Sequence, residues 1–326
     1  MKKILLAIAA VATMTGCTQN EEFDNLGQKA EIGFNTAAVT RATAMTTANF
    51  NEFKVYGYAH TGTFGAETTV TAFVDGAFTK KENNKWTEDQ NKKFYWPTEG
   101  NVTFFAYSPA GETGTTYAAS AKGYPTVDYK VNDVITSQSD FVVAQKTGDG
   151  VTDKDGVSLG FKHALTQIVF KLKGSDKDVN YSVTKLDMKG IMNSGTYNWA
   201  DNTWTVGTVP ANYTINMAGD AATEFLGDAA DVTELSGNDK VLMLIPQAPA
   251  AATIDVTYTA MKGEVEICKG TKTVNVPKDQ WGVGQKIIFT IALTPGNEIT
   301  ITGNLDDNDW TCLLYTSPSP RDGATS

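Results

Sequence analysis

Strict alternation of apolar and polar residues is the sequence feature that most constrains how this chain folds. In residues 167–174, QIVFKLKG, the apolar residues Ile168, Phe170 and Leu172 are spaced two apart. Residues 253–261, TIDVTYTAM, repeat this spacing. Because successive side chains of a β-strand point to opposite faces, each segment is predicted to be a strand with one buried face.

A hairpin and a doubly covered strand are also predicted. Residues 288–293, IFTIAL, alternate in the same way, and the alternation resumes at Ile299 and Ile301 after the turn sequence TPGNE. Residues 240–247, KVLMLIPQ, are apolar on both faces, which favours a strand covered on both sides. No apolar stripe at helical spacing persists along the chain. We therefore predict an all-β protein built of sandwiches.

Residues 1–17 have the composition of a signal peptide. Two lysines precede the apolar run ILLAIAAVA, which is much shorter than the roughly 20 residues that span a bilayer. The closing MTGC resembles a bacterial lipobox, in which Cys17 is acylated and becomes the first residue of the mature protein. An ordinary cleaved signal with a chance cysteine is the alternative. The acidic residues 18–25 are interpreted as a surface-export tether or as a solvated linker.

Residues 312–326 do not resemble the rest of the chain. The stretch CLLYTSPSPRD, Cys312 to Asp322, matches the translation of a common transposon-end sequencing adapter residue for residue. It is rich in proline and serine and shows no alternation. We interpret it as a non-native tail after a truncated gene, so that the native C-terminus is absent.

The remaining residues exceed what one hydrophobic core usually supports, which predicts two domains. Residues 146–160 are rich in glycine and aspartate and lack periodicity, so we place an N-terminal sandwich at 42–160 and a C-terminal one at 161–311. With Cys17 lipidated, Cys268 is the single cysteine of these domains, and no intrachain disulfide is predicted. The net charge of −10 argues against nucleic acid as a partner.

Residues suited to catalysis or metal binding are few. His60 and His163 lie far apart, and His163 precedes an apolar strand, which favours a packed, hydrogen-bonded side chain over a base or ligand. Asp149, Asp153 and Asp155 resemble a calcium loop only superficially, because the alternating pattern of oxygen ligands is interrupted. A solvated acidic turn is the favoured interpretation, and NLDDNDW near the C-terminus is interpreted in the same way. We predict a protein that is not an enzyme and that uses no metal or cofactor.

Two tryptophans, Trp199 and Trp204, flank an Asp-Asn turn, as at the tip of a hairpin. Exposed, they would offer an aromatic platform for a sugar ring. As partners on adjacent strands they would instead belong to a sheet, and this second interpretation is favoured.

Several stretches together resemble the fimbrillin family of type V pilins from Bacteroides-like bacteria. In order, they are VTRAT, FNEFKVYGYA, YWPTEGNVTFFAYSP, GFKHALTQIVFKLKG, VLMLIPQ and WGVGQKIIFTIALTPG. The resemblance implies two transthyretin-like β-sandwich domains in tandem. It also implies a lipidated precursor at the outer membrane whose N-terminal segment is removed by an arginine-specific protease. A strand of another subunit then fills the groove that the lost segment leaves.

Carried onto this sequence, the resemblance places the cut between Arg41 and Ala42. Arg41 is one of two arginines in the chain, and the other lies in the tail. Residues 18–41 are then the tether and a removable strand. Ile32 and Phe34, two apart, would seal a core until that strand is displaced, and their loss would expose a sheet edge that favours strand addition. Since lysine supplies nearly all the basic charge, an exposed linker arginine without function is the alternative.

These features predict a pilus subunit on the cell surface, with a role in adhesion. Its partners would be other pilin subunits, an arginine-specific protease, and the outer membrane through the lipid. The rival hypothesis is a monomeric, surface-anchored protein that keeps its N-terminal strand and binds a glycan or host ligand, with Trp199 and Trp204 as the candidate binding residues. Whether the chain is a stalk, tip or anchor subunit stays open, as does the adhesion target.

Overall fold

The computed structural model describes residues 30–37, 50–80, 85–111, 113–217, 222–228, 230–235, 237, 239–277, 279–296 and 299–306. Within these residues the regular structure consists of β-strands and one 3-10 turn, Ile135–Ser137. This confirms the all-β prediction. None of the helices in the described part of the chain is long and apolar enough to cross a membrane.

The first ten described strands lie before residue 164. In chain order they are β1 Phe34–Ala37, β2 Glu52–His60, β3 Thr71–Lys80, β4 Trp86–Glu88, β5 Asn101–Ser108, β6 Thr116–Ala118, β7 Thr126–Lys130, β8 Val142–Gly148, β9 Val157–Gly160 and β10 Lys162–His163.

Twelve further strands are described after residue 165. They are β11 Thr166–Gly174, β12 Asn180–Met192, β13 Ser194–Asn198, β14 Thr203–Val206, β15 Pro210–Asn216, β16 Thr223–Leu226, β17 Thr233–Glu234, β18 Leu242–Leu244, β19 Thr253–Lys262, β20 Val265–Asn275, β21 Lys286–Leu293 and β22 Thr300–Leu305.

A six-stranded sheet in the order β10-β8-β5-β2-β3-β4 divides the N-terminal half into two apolar layers. On the inner strand β5, Phe104 packs into one core and its neighbour Phe105 into the other. Both side chains are fully buried, as expected when a sheet is covered on both faces. One of these cores is closed by a separate two-stranded sheet, β1 and β9, which run parallel.

Two five-stranded sheets enclose the core of the C-terminal half. One has the order β17-β11-β21-β22 with β18 also on β11, and the other has β15-β12-β19-β20 with β16 also on β12. Inward-facing residues of both sheets, such as Ile168 of β11 and Val256 of β19, belong to one buried cluster. This face-to-face arrangement is a β-sandwich.

The strand predictions for this half are confirmed. The segments at 167–174 and 253–261 form β11 and β19, and the predicted hairpin is β21 and β22, with Ile291 opposite Ile301. Residues 241–245 are buried on both faces, although only three of them form the strand β18.

A four-stranded sheet in the order β14-β13-β7-β6 takes strands from both sides of residue 160. Here Tyr197 of β13 lies opposite Val127 of β7. The larger buried cluster is continuous with this sheet and includes residues from Tyr58 to Ile299. The division into sandwiches at 42–160 and 161–311 stays a prediction, and any such division has to accommodate this shared sheet.

Candidate functional site

The N-terminal segment that the sequence marks as removable is built into the first core. Residues 30–37 lie between two backbone partners. On one side, the Ile32 amide donates to the Phe94 carbonyl at 2.7 Å, and the Trp96 amide donates to the Ala30 carbonyl at 3.0 Å. On the other side, the Val157 amide donates to the Gly33 carbonyl at 2.9 Å, where the parallel ladder with β9 begins.

The side chains of this segment alternate as the sequence predicts. Ile32 is 3% exposed and Phe34 is 5% exposed, whereas Glu31, Gly33 and Asn35 face outward. Full burial of an Ile or Phe side chain stabilises a fold by roughly 1.5–3 kcal/mol. The segment therefore contributes core side chains as well as backbone hydrogen bonds.

Phe34 is the central contact of the segment. Its ring meets those of Phe53, Phe78 and Phe104 edge-on, with centroid distances of 5.8, 4.9 and 5.4 Å. Edge-to-face pairs of this kind add to the stabilisation from area burial. Removal of Phe34 would open an aromatic-lined cavity in the middle of the first core.

Strand β9 depends on the removable segment. Among the described strands it pairs with β1 alone, with Phe34 opposite Val157 and Thr36 opposite Leu159. Val157 and Leu159 are fully buried. Loss of β1 would therefore leave an unpaired strand edge beside an apolar groove, the arrangement that accepts an added strand.

Three polar side-chain contacts also hold the segment. Lys93 Nζ lies 3.0 Å from Glu31 Oε2, and this hydrogen bond raises the pKa of Lys93. Asn35 Nδ2 donates to the Asp155 carbonyl at 3.2 Å. The Trp86 indole donates to Thr36 Oγ1, also at 3.2 Å. These contacts are at or near the surface, so each stabilises weakly.

The sequence located part of this site. The spacing of Ile32 and Phe34 predicted which side chains seal the core. It did not reveal Lys93 or β9, because a partner strand more than 120 residues away leaves no local pattern. The alternation of Val157 and Leu159 in VSLG was the available signal for β9. Cys17, Arg41 and Ala42 lie outside the described residues.

Of the tryptophan pair that could have formed a sugar platform, Trp199 lies in the core and Trp204 is partly buried against it. Trp199 is 1% exposed, and the Trp204 indole donates to the Ala164 carbonyl at 2.7 Å. The predicted hairpin is present as β13 and β14, but the residue opposite Trp204 is Tyr197. The expected pairing of Trp199 with Trp204 is therefore wrong, because Trp199 follows β13 and turns into the core.

Both histidines are buried and hydrogen-bonded. His163 Nδ1 lies 2.7 Å from Asp140 Oδ2, and His60 Nε2 lies 2.9 Å from Thr103 Oγ1. The interpretation of His163 as a packed, hydrogen-bonded residue is confirmed. Asp140 precedes β8 and His163 lies in β10, so their contact ties the edge of the six-stranded sheet to the chain that leads into β11.

The acidic stretch at 149–155 is organised as a turn by its own backbone. Asp149 Oδ1 accepts hydrogen bonds from the Thr152 and Val151 amides at 2.9 and 2.8 Å, and these bonds lower the pKa of Asp149. Asp153 Oδ2 accepts from the Asp149 amide at 3.2 Å. No cluster of three or more metal-ligating side chains occurs among the residues that the structure describes. Of the second acidic stretch, Asp306 pairs with Lys286 at 3.3 Å, and residues 307–310 lie outside the described range.

The fold and this site define an all-β protein in which a short N-terminal strand closes an apolar groove from outside. Residues 40–310 match the family model described as fimbrillin-like. The chain therefore belongs to the fimbrillin-like family, and the resemblance seen in the sequence is confirmed.

Two individual proteins illustrate the relationship. Fimbrium subunit Fim1C of Phocaeicola vulgatus is 25% identical over 367 aligned residues, which cover 95% of this chain and 96% of that protein. The crystal structure of a fimbrial protein from Bacteroides vulgatus superimposes with a TM-score of 0.66 at 18% identity, covering 86% of this chain and 99% of that one. At this identity the structural likeness establishes the fold alone.

Proposed function

We propose that this chain is a structural subunit of a surface pilus with a role in adhesion. It is exported as a lipoprotein precursor with the lipid on Cys17, and an arginine-specific protease cuts between Arg41 and Ala42. The outer membrane holds the precursor through its lipid until that cut. The cleaved subunit polymerises by donor-strand exchange with other pilin subunits.

The observation that carries this proposal is the burial of Ile32 and Phe34, which lie N-terminal to Arg41. A cut at Arg41 would convert a covalent part of the core into a peptide held by non-covalent contacts alone. The vacated groove would combine an apolar floor with unpaired backbone groups of residues 94–96 and of β9. Another strand could then restore both the burial and the hydrogen bonds.

Family membership supports the same function, because the relative from Phocaeicola vulgatus is a fimbrium subunit. The rival function, ligand binding by a monomer through Trp199 and Trp204, gains no support from the burial of Trp199 or from the hydrogen bond that holds the partly buried Trp204.

The test is digestion of the folded protein with an arginine-specific protease, followed by intact mass and an unboiled gel. We expect one cut after Arg41 within residues 18–311 and a ladder of oligomers that resists detergent. The Arg41→Lys variant is the matched control, since it keeps the charge and removes the cleavage site. A folded protein whose Arg41 resists the protease would contradict the proposed trigger. A cut without a ladder would limit the role to a subunit that accepts a strand and donates none.

A further inference from the structure

A cleft of about 510 Å³ opens beside the removable strand. It is lined by Glu31 and Gly33 of the N-terminal segment, by the turn that follows β4, and by Lys154 to Gly156 before β9. The cleft thus runs along one side of the strand, and its lining also includes Ile32 and the apolar residues Phe78, Trp86 and Phe94.

Gly33 leaves this cleft unfilled. It lies on the exposed face between Glu31 and Asn35, and a Cβ added there would meet no heavy atom within 4 Å. Its φ lies outside the left-handed range, so an ordinary residue can adopt the same backbone conformation. Neither space nor conformation therefore requires glycine, and glycine itself loses more entropy on ordering than any other residue.

The charges around the cleft favour an acidic side chain. Its lining contains the four lysines Lys85, Lys92, Lys93 and Lys154 and the three carboxylates Glu31, Glu88 and Asp155. Glu88 is buried and already accepts hydrogen bonds from the Gln90 and Lys92 amides at 2.8 and 2.7 Å. Glu31, the partner of Lys93, belongs to the segment that would leave. Without Glu31, the four lysines outnumber the two remaining carboxylates, Glu88 and Asp155. The empty groove would therefore be basic at this point, in a chain with a net charge of −10.

We propose that the cleft at Gly33 is a side-chain subsite of the strand groove, and that it takes an acidic side chain from the strand of another subunit. The inference rests on the proposed strand exchange. The resident strand is then the weaker occupant, because its glycine leaves the subsite empty. An incoming strand with Asp or Glu at this register gains contacts with Lys93 and Lys154, and a strand with Lys at this register is disfavoured.

The subsite is tested first in the intact chain, where the result does not depend on cleavage. We would compare the thermal unfolding midpoints of Gly33→Glu, Gly33→Gln and Gly33→Lys at low and high salt, each in a Glu31→Gln background, because Glu31 is the partner of Lys93 in the intact chain. At low salt we expect the highest midpoint for Gly33→Glu and the lowest for Gly33→Lys. At high salt the midpoints should differ less, because exposed charges are screened. Equal midpoints, or a higher midpoint for Lys than for Glu, would overturn the subsite.

Combining the Gly33 variants with single lysine substitutions identifies which lysines cause the preference for an acidic side chain. Lys93→Gln and Lys154→Gln should each reduce the difference between the Glu and Lys variants. Lys122→Gln, which removes a lysine paired with Glu67 outside the cleft, should leave that difference unchanged. If the difference between the Glu and Lys variants is the same in all three backgrounds, the lysines of the cleft do not select the charge of the side chain at position 33.

A second experiment links the subsite to exchange. Labelled peptides of residues 30–41, with the native sequence or with Gly33→Glu, compete for the full chain after cleavage at Arg41. One exposed charge pair corresponds to a preference of about two- to fivefold for the acidic peptide. Uptake of both peptides without preference would overturn the subsite. If neither peptide is taken up while the thermal order holds, the subsite stands and the strand-exchange function fails.

Discussion

The ring of Phe34 stands edge-on to the ring of Phe104, with centroids 5.4 Å apart and planes at 89°. Phe104 lies on the inner strand β5, and Phe34 belongs to the short peripheral strand β1. This contact joins a segment that the sequence marks for removal to the middle of the first core. The energetic consequences of that relationship can be measured directly.

Substitution of Phe34 by alanine should destabilise the intact chain by about 3–5 kcal/mol, the usual loss for a large aromatic side chain in a packed core. Urea unfolding of the Phe34→Ala variant measures this effect. Asn35→Ala is the control on the same strand, since it removes one exposed hydrogen bond and should cost less than about 1 kcal/mol. Equal losses for the two variants would mean that Phe34 is not a core residue.

The buried contact between Asp140 and His163 should stabilise the edge of the six-stranded sheet. Both side chains are almost inaccessible to solvent, and His163 Nδ1 lies 2.7 Å from Asp140 Oδ2. The Asp140→Asn variant removes the carboxylate charge and should lower the free energy of unfolding by about 1.5–3 kcal/mol. A double-mutant cycle with His163→Gln checks the assignment, because the two losses should not add. If the two losses add, Asp140 stabilises the fold through contacts other than the one with His163.

Stability on the acid side should depend on Asp255, on the outer face of the C-terminal sandwich. A hydrogen bond from Lys189 at 2.5 Å, and then one from Thr273 at 2.6 Å, lower the pKa of Asp255. A carboxylate whose pKa is lower in the folded state stabilises the fold above its ordinary pKa. That contribution is lost as the pH falls from near 4 through the lowered value.

The measurement is the free energy of unfolding between pH 2 and 6. Asp255→Asn and Lys189→Met should both flatten the decline in acid. Thr271→Ala, a neighbouring exposed substitution on β20, should retain it. An unchanged acid slope in Asp255→Asn would show that this carboxylate does not contribute.

Local pattern was sufficient to predict much of this fold. Alternation located β11, β19 and the hairpin β21–β22, since each has one face against the core. It also predicted that Ile32 and Phe34 are buried. These inferences succeeded because the period of side-chain direction is a property of the strand itself.

The remaining features depend on contacts between distant segments. The pairing of β7 with β13 joins residues about seventy positions apart, and no spacing in either strand encodes it. Trp199 was expected opposite Trp204, but its position after β13 turns it into the core and leaves Tyr197 as the partner. The charged cleft at Gly33 is assembled from three separate segments, so only the tertiary structure brings its lysines together.

The central claim is that residues 30–37 leave their groove once Arg41 is cut, and a reversible lock tests it most directly. Asn35 and Ser158 are exposed cross-strand partners on β1 and β9. Directly paired strand residues lie within the Cα separation that a disulfide spans. The Asn35→Cys/Ser158→Cys variant, made in a Cys268→Ser background, should therefore hold the strand in place when oxidised.

The measurement is co-elution of a fluorescent peptide of residues 30–41 with the protein on size exclusion after arginine-specific digestion. The cleaved wild-type protein should take up the peptide, and the reduced variant should do so as well. The oxidised variant and the uncut Arg41→Lys protein should exclude it. If the cleaved wild-type protein excludes the peptide, or the locked protein takes it up equally, residues 30–37 are a permanent strand of the fold and the strand-exchange account is wrong.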